Sequence, residues 1–498
     1  MLEVFFQAPL VVLQPAIFGA MLLGVAIGTF VAITPQGLGL PLAYALLVPI
    51  VIQFDPYIAI ALLLGMDTVT NTGNTFLPVL FSIPGGAGAQ AIILDGYPMG
   101  QKGEAKRALA AGFTASILGG LLGIVIMGIT IPLLSSIVML IGSPELLVLV
   151  IWGISTVALL AGPQPIKGLI AGVFGLSLTM VGVDPNTAVP RYMMGHYYFI
   201  DGIPLTIIAL GIFAIPACLE LAVRKVGVEQ QSAPLGHGVL EGIKDTFRNW
   251  WLVIRCSVIG VIIGATPGLG SVVTDWIAYA HAAQTCKGAR DTFGKGDVRG
   301  VIAPDTTNSS KDGGELIPTL AFGVPGSTTN AFFMLALIIM GITPGPSLLE
   351  KRMDLVFFMV WVMTYAAVIG GLVCLAFIPQ MAKIATLRYS VLVPIILGAS
   401  FLGAYVSTRD MMDLVLLFIF GTVGVIMKRY GYPRPPVLLG AVLGGLMEKY
   451  LFISVSAYGL GFLMRPGVMI LLPLVVIGLI FAILARRSQV KLSEGSAE

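Results

Sequence analysis

Long apolar runs separated by short polar loops make up most of this chain. A helix needs about 17 to 25 apolar residues to cross a bilayer, and runs of that order recur along the whole sequence. The clearest candidates are Leu10 to Val31, Ala108 to Thr130, Ile166 to Val183, Ile203 to Val223, Leu355 to Ile378 and Gly467 to Leu484. Shorter candidates are Leu146 to Ala161, Trp251 to Thr266, Tyr389 to Val406, Leu414 to Met427 and Val437 to Leu451. The pattern predicts an all-α polytopic membrane protein with about twelve transmembrane segments, counting broken ones.

A polar stretch from Lys225 to Asn249 divides this pattern into two halves with similar interruptions. The first half contains Thr34-Pro35-Gln36-Gly37-Leu38-Gly39 and then Ile83-Pro84-Gly85. The second half contains Thr266-Pro267-Gly268-Leu269-Gly270 and then Val324-Pro325-Gly326. We therefore predict two pseudo-repeats with broken or re-entrant helical hairpins, residues 1–224 and 250–498, joined by a cytoplasmic linker over 225–249. Hydropathy leaves open whether the repeats are parallel or inverted.

These interruptions are the first candidates for a functional site. Proline and glycine breaks leave backbone N–H and C=O groups without helical partners, which is costly in hydrocarbon unless protein, water or ligand satisfies them. Matching breaks in the two halves of a transporter indicate a binding site near the bilayer midplane. The alternative for any single break is close helix packing, for which small residues are also used in membranes.

Small hydroxyl and amide side chains lie near the breaks and complete the predicted site. Such groups bind an oxyanion or ligate sodium through oxygen, and those at a helix start also favour a carboxylate through the helix dipole. The predicted solute-binding residues are Pro35, Gly37, Gly39, Asn71, Thr72, Gly73, Asn74, Thr75, Pro84, Gly85, Pro267, Gly268, Gly270, Asn308, Ser309, Pro325, Gly326, Ser327 and Thr328. The predicted coupling-ion residues are Asp67, Thr68 and Asp305, because carboxylates within membrane segments are costly and usually functional.

Composition and charge argue against nucleic-acid binding and indicate which loops face the cytoplasm. Hydrophobic residues make up 57% of the chain and charged residues 11%, and the formal net charge of +3 is too small to suggest nucleic-acid binding. Basic residues concentrate in a few loops, which the positive-inside rule places in the cytoplasm. Those loops contain Lys102, Lys106 and Arg107; Arg224, Lys225, Lys244 and Arg248; Lys428, Arg429 and Arg434; and Arg486, Arg487 and Lys491.

The sequence contains no motif of a common hydrolytic enzyme. It has no zinc-protease His-Glu-x-x-His, no Gly-x-Ser-x-Gly elbow and no phosphate-binding Gly-x-x-x-x-Gly-Lys-Ser/Thr loop. The scattered cysteines and histidines have no spacing typical of a structural metal site or a disulfide framework. We therefore expect a transporter without a bound cofactor rather than an enzyme. Its energy for uphill transport comes from an ion gradient, Na⁺ or H⁺, or from a partner.

Several longer motifs, in the same order along nearly the whole chain, resemble the large membrane subunit of the tripartite tricarboxylate transporters, the TctA family. The family's Pro-Gly-Leu-Gly turn is similar to Pro267-Gly268-Leu269-Gly270 and, with one insertion, to residues 35–39. Other matches are Leu94-Asp95-Gly96-Tyr97-Pro98-Met99, Gly103-Glu104-Ala105, Asp184-Pro185, Asp201-Gly202, Phe293-Gly294-Lys295-Gly296, Ala303-Pro304, Ile317-Pro318-Thr319-Leu320 and Pro344-Gly345-Pro346.

This resemblance implies uptake of a small organic carboxylate, driven by an ion gradient, across the inner membrane of a bacterial cell. It also implies two partners, a periplasmic substrate-binding protein (TctC-like) and a small membrane subunit (TctB-like). The chain departs from the family at Gly73-Asn74-Thr75, at Pro84-Gly85-Gly86-Ala87 and at Asn308-Ser309. Because these differences fall in the predicted site, the identity of the carboxylate stays open. The sequence also leaves the oligomeric state open. A membrane-embedded enzyme or an assembly scaffold, in which the breaks serve packing, is the alternative.

Overall fold

The computed structural model of this protein describes residues 2–34, 39–138, 141–160, 164–185, 187–224, 233–266, 270–384, 389–473 and 475–476. Nearly all of the regular structure in these ranges is helical. The two strands described, β1 (Gly182–Val183) and β2 (Pro190–Arg191), pair antiparallel within one loop. The predicted all-α class is therefore confirmed.

The first half of the chain contains eleven of the described helices. They are α1 (Leu2–Val12), α2 (Pro15–Ile33), α3 (Leu40–Val51), α4 (Pro56–Gly73), α5 (Phe76–Phe81), α6 (Ile93–Gln101), α7 (Ala105–Val138), α8 (Ser143–Leu160), α9 (Pro165–Leu178), α10 (Leu205–Ala209) and α11 (Ile215–Arg224). A π-helical turn, Leu210–Ala214, connects α10 to α11.

The second half contains twelve of the described helices. They are α12 (Val239–Arg248), α13 (Trp250–Gly264), α14 (Gly270–Thr285), α15 (Ala289–Thr292), α16 (Arg299–Phe322), α17 (Thr328–Ile339), α18 (Pro346–Lys351), α19 (Met353–Ala376), α20 (Ile378–Ile384), α21 (Tyr389–Thr408), α22 (Met412–Arg429) and α23 (Pro435–Tyr458).

Proline sets the start of several of these helices. It lacks an N–H and its φ is already helical, so the first helical turn tolerates it best. Proline occupies this turn in α2, α4, α9 and α23. At α4 the Asp55 carboxylate also accepts a hydrogen bond from the Tyr57 backbone N–H at 2.9 Å, which caps the helix.

Five helical segments of the described ranges are long and apolar enough to cross a membrane by length and composition. They are Pro15–Ile33, Ala105–Ser136, Leu205–Val223, Met353–Ala376 and Pro435–Met464. The pair α12 and α13, bent by 74°, would make a sixth. Shorter apolar helices such as α3, α9 and α17 accompany them. The chain is thus a multi-pass membrane protein, whereas the prediction of about twelve crossings is not confirmed.

Helices α4 and α16 lie against each other in the centre of the protein and run in opposite directions. Asn71 contacts Asp312, and Thr75, which follows α4, contacts Asp305. An increase in residue number along the first helix is thus matched by a decrease along the second. This antiparallel crossing brings the two halves of the chain together.

Each central helix also packs tightly against a helix of its own half. A Cβ placed on Gly28 of α2 would lie 2.3 Å from the Met66 carbonyl oxygen of α4. A Cβ on Gly264 of α13 would lie 2.4 Å from the Lys311 carbonyl oxygen of α16. Only glycine permits such close approach of two helix backbones, as is common in membrane helix pairs.

Two further long helices, α7 and α19, pack on the central pair α4 and α16. Each packs on the central helix that belongs to the other half of the chain. On α7, a Cβ at Gly119 would lie 2.4 Å from the Thr306 carbonyl oxygen of α16. On α19, a Cβ at Gly370 would lie 2.0 Å from the Val69 side chain of α4. This exchanged packing means that neither half forms its core alone.

Two buried carboxylates join the halves at the end of the molecule that contains Lys102. Asp95 of α6 accepts hydrogen bonds from the backbone N–H groups of residues 296–297, both at 2.8 Å. Asp275 of α14 accepts from the backbone N–H groups of residues 90–91, at 2.7 and 2.9 Å. Each half therefore binds a loop of the other, and the contact is reciprocal.

Candidate functional site

The chain leaves the helical conformation at two similar places, which we call the first break (residues 82–86) and the second break (residues 323–327). Each begins with a residue in the left-handed conformation, Ser82 with φ of 55° or Gly323 with φ of 67°. A left-handed residue ends an α-helix, and the proline two residues later prevents its continuation. Both of the Pro-Gly interruptions predicted in these regions are present.

Glycine is required at both breaks because the backbone folds back onto the preceding helical segment. A Cβ on Gly85 would lie 2.2 Å from the Asn74 carbonyl oxygen. A Cβ on Gly326 would lie 2.8 Å from the Glu315 Cα. Approaches under 3.0 Å to backbone atoms require the backbone to shift. The two breaks therefore share one local geometry, which packs a glycine against a polar residue.

Polar side chains of α4 and the following turn face polar side chains of α16. The Asn71 amide donates to Asp312 Oδ2 at 2.7 Å, and the Thr75 hydroxyl donates to Asp305 Oδ1 at 2.6 Å. The Asn308 amide donates to the Asn71 carbonyl oxygen at 3.4 Å. We call this set the central polar interface. Its members are Asp67, Asn71, Thr75, Asp305, Asn308, Lys311, Asp312 and Glu315.

One ammonium group lies among several carboxylates in this interface. Lys311 Nζ lies 3.1 Å from Asp312 Oδ1, and both side chains are buried. Lys311 also interacts electrostatically with Glu315 and Asp67. Since burial of an ion costs several kcal/mol, such a group persists only with good partners. One positive charge against four carboxylates, with Asp305 included, leaves the interface strongly acidic when all of them are ionised.

Several oxygen atoms in and beside the interface have no hydrogen-bond partner among the described residues. They are buried, and most buried polar groups in proteins are paired. Unpartnered side-chain oxygens in this region are Thr68 Oγ1, Asp305 Oδ2, Asn308 Oδ1, Ser309 Oγ, Glu315 Oε1 and Asn330 Oδ1. These unpaired oxygen atoms can ligate a cation or accept hydrogen bonds from a donor group of a ligand.

The structure brings four of the predicted site residues into contact, while the roles predicted for the whole set stay predictions. Asn71, Thr75, Asp305 and Asn308 contact one another, as described above. Pro84 and Gly85 lie in the first break; Pro325, Gly326 and Ser327 lie in the second, and Thr328 begins α17. Thr72 is buried, and its carbonyl oxygen accepts a hydrogen bond from the Thr75 hydroxyl at 3.1 Å.

Other predicted residues lie at the edges of this site or beyond the described ranges. Pro35, Gly37, Pro267 and Gly268 fall outside the described residues, while Gly39 and Gly270 are the first described residues after them. Gly73 packs against α2, since a Cβ there would lie 2.5 Å from the Ala32 Cβ.

Asp305, Asn308 and Ser309 lie within α16, which is continuous from Arg299 to Phe322. The sequence analysis grouped them with the second Pro-Gly interruption, but they are separated from it by more than two helical turns. Pro304 and Pro318 are both accommodated inside the helix. Asp305 and Asn308 instead contact Thr75 and the Asn71 carbonyl oxygen of the first half.

Sequence reasoning named Asp67 and Asp305 but missed the other charged residues of the site. Lys311, Asp312 and Glu315 were not singled out, although they place three charges within five residues of a helix whose other charged residues are Arg299 and Asp305. Tyr44 was also missed, and its hydroxyl lies 3.3 Å from Asp67 Oδ2. The charge cluster inside an apolar region was the available signal, because intramembrane ionisable residues are functional by default.

Comparisons with known proteins decide which family this architecture belongs to. The model of the tripartite tricarboxylate transporter TctA family matches residues 18–439. The chain belongs to this family. TctA proteins are transporter subunits and not enzymes, so the suspected resemblance and the expectation of a non-enzyme are both confirmed.

Two relatives of this TctA-family chain come from Agrobacterium vitis. One, named an uncharacterized 52.8 kDa protein in the TAR-I ttuC' 3' region, is 30% identical over 433 residues, which cover 86% of this chain and 85% of that protein. The other, named an uncharacterized protein in the TAR-II ttuC' 3' region, is 29% identical over 192 residues, or 39% of this chain and 79% of that protein. No solved structure matches the chain significantly.

Proposed function

We propose that this TctA-family chain is the large membrane subunit of a tripartite secondary transporter that imports a small organic carboxylate across the bacterial inner membrane. A periplasmic TctC-like protein delivers the solute, and a small TctB-like membrane subunit completes the system. The single observation that supports this most strongly is the central polar interface. Membrane helices bury such a set of charged and amide side chains only at high cost, which transport through the site would explain.

The carboxylate binds on the first-half side of the interface. There the first break and residues 71–75 supply amide, hydroxyl and backbone groups and carry no carboxylate themselves, while Asn71 and Thr75 donate to Asp312 and Asp305 of the second half. An anion is favoured by such neutral donors and disfavoured by nearby carboxylates. The same reasoning disfavours the acidic second-half side for the solute.

The coupling cation, Na⁺ or H⁺, binds to the carboxylates. Asp305 is buried and has one oxygen without a partner, and no basic side chain pairs with it among the described ion pairs. Asp67 and Thr68 lie about two helical turns before Thr75, and Asp67 interacts electrostatically with Asp312 and Glu315. Neutralisation of these groups by cations lowers the electrostatic cost of bringing an anion into the interface.

The two halves form an inverted repeat in this proposal. Three observations support it: the equivalent glycine packing at the two breaks, the glycine contacts of α2 on α4 and of α13 on α16, and the opposite directions of α4 and α16. In an inverted repeat, exchange of the conformations of the two halves opens the site alternately to each side of the membrane.

Reconstitution in proteoliposomes tests this function. The purified chain, the small subunit and the binding protein are supplied with a set of radiolabelled carboxylates, with or without an inward Na⁺ or H⁺ gradient. We expect one carboxylate class to accumulate only with a gradient and the binding protein. If the complete system accumulates none of them under either gradient, the chain acts as an assembly scaffold and the proposal fails.

A further inference from the structure

The second break encloses a group of buried oxygen atoms that the coupling-ion residues named above do not include. The Asn330 amide donates to Glu315 Oε2 at 3.0 Å, which places the two side chains in contact. Glu315 Oε1 and Asn330 Oδ1 have no partner among the described residues, and the two residues are only 3% and 2% exposed. The Ser327 hydroxyl lies beside the same carboxylate. Three oxygen-bearing side chains therefore converge on one buried point.

An ionised Glu315 carboxylate in this buried group raises the free energy of the folded protein when no cation is bound. Within the ion pairs described for the chain, Lys311 pairs with Asp312 at 3.1 Å, and none includes Glu315. An ionised carboxylate that is buried among neutral groups, with one oxygen unpartnered, is costly, and binding of a proton or a cation lowers that cost. Lys311 pairs with Asp312 and also interacts electrostatically with Glu315 and Asp67, so its single positive charge is shared among three carboxylates and does not balance all of them.

The backbone holds these oxygens in place. Ser327 caps α17 by accepting from the Asn330 backbone N–H at 3.2 Å, and the close contact of Gly326 with Glu315 fixes the break against α16. The Gly326 backbone N–H also donates to the Thr319 hydroxyl at 3.3 Å. Ligands held by a fixed backbone are suited to bind a small ion with little reorganisation.

We propose that Glu315, Asn330 and Ser327 form a binding site for a monovalent cation, separate from Asp305 and on the far side of the Lys311–Asp312 pair. Carboxylate, amide and hydroxyl oxygens are ligands for a hard cation such as Na⁺, and a proton satisfies the same carboxylate. The role of this site as a second coupling site rests on the proposed function, while cation binding itself does not.

Thermal unfolding of the purified full-length protein tests the site without a solute. Unfolding temperature is measured against NaCl concentration, with choline chloride keeping ionic strength constant, and separately against pH without sodium. A ligand that binds only the folded state raises this temperature. For Na⁺, we expect Glu315→Gln to need about tenfold more sodium for the half-maximal shift. For a proton, the pH dependence should weaken in Glu315→Gln while sodium has no effect.

Control variants make either result interpretable. Glu350→Gln makes the same substitution at an exposed position and should behave as the wild type. Asn330→Ala keeps the carboxylate but removes one ligand, and it should weaken the sodium effect even if Glu315→Gln fails to fold. Identical sodium and pH responses in wild type, Glu315→Gln and Asn330→Ala would overturn the proposal.

Uptake measured in parallel separates this site from the proposed function. A sodium or pH response that depends on Glu315, in a protein with no carboxylate uptake, would reject the transport function and retain the cation site. Carboxylate uptake whose dependence on cations is unchanged in Glu315→Gln would retain the transport function and reject the coupling role of this site.

Discussion

The first and second breaks have the same backbone plan but different charge. In each, a left-handed residue is followed by X-Pro-Gly, and the glycine packs against the residue eleven positions earlier. That residue is Asn74 in the first half and Glu315 in the second. The first break therefore presents a neutral amide where the second presents a carboxylate.

This difference shows how one architecture can supply sites for ions of opposite sign. The geometry fixes where the backbone turns and what it packs against, while the side chain at one position sets the local potential. We infer that the neutral break suits the carboxylate solute and the acidic break suits a cation. Coupling then follows from their proximity, because a bound cation offsets the negative charge that the solute brings.

The largest expected effect comes from filling the space at either break. Gly85→Leu and Gly326→Leu place a side chain where a Cβ alone would lie 2.2 or 2.8 Å from backbone atoms. We expect uptake in proteoliposomes to be lost in both variants, with membrane insertion retained. Gly19→Leu is the matched control, since a Cβ there has nothing within 4 Å. Normal uptake by both break variants would contradict the site assignment.

Removal of the Lys311 ammonium group should destabilise the acidic region beside the second break. Lys311→Met leaves Asp312 buried without its partner, which typically costs about 3 to 5 kcal/mol. We expect a clear drop in unfolding temperature at neutral pH, partly recovered by the double variant Lys311→Met/Asp312→Asn. Lys351→Met at an exposed position serves as the control. An unchanged unfolding temperature for Lys311→Met would mean that the buried ion pair contributes nothing.

A single carboxylate added to the neutral break should make the two breaks alike. Asn74→Asp is nearly isosteric, so we expect folding to survive and the apparent affinity for the carboxylate solute to fall about tenfold, or about 1.4 kcal/mol. The measurement is initial uptake rate against solute concentration. Glu315→Gln, the converse change, should alter the cation dependence far more than the solute affinity. Equal effects of both variants on solute affinity would remove the distinction between the breaks.

The smallest effect concerns the contact that links Asp305 to the first half. Thr75→Val removes the hydroxyl that donates to Asp305 Oδ1 at 2.6 Å, and loss of such a buried hydrogen bond costs about 1 to 3 kcal/mol. We expect a modest loss of stability and a changed cation dependence of uptake, with Thr75→Ser close to the wild type. If Thr75→Ser is as defective as Thr75→Val, packing rather than the hydroxyl is responsible.

The sequence predicted the breaks well because their causes are local. Proline and glycine act on the backbone where they stand, so Pro84-Gly85 and Pro325-Gly326 indicated their own conformation. The all-helical membrane class followed similarly from apolar runs. The number of crossings was not confirmed, since hydropathy does not distinguish a short helix within a hairpin from a complete span, as α3 and α17 illustrate.

The chemistry of the site was predicted less well because it depends on distant contacts. Asn71 and Asp312 are 241 positions apart, and no local pattern indicates that their helices cross. The continuous path of α16 through Pro304 and Pro318 was also not foreseen, because tertiary packing outweighs the usual cost of proline inside a helix. As a result Lys311, Asp312 and Glu315 were missed, although Asp67 and Asp305 were predicted.

The most direct test asks whether the central polar interface opens to water during transport. Ser309 is suited to this, because it is buried and its hydroxyl has no partner among the described residues, so cysteine replaces it with little disturbance. With Cys218, Cys256, Cys286 and Cys374 replaced by alanine, labelling of Ser309→Cys by a small charged thiol reagent is followed over time. We predict labelling that the transported carboxylate slows; absence of labelling in a protein active for uptake, or labelling that the solute never affects, would contradict the account.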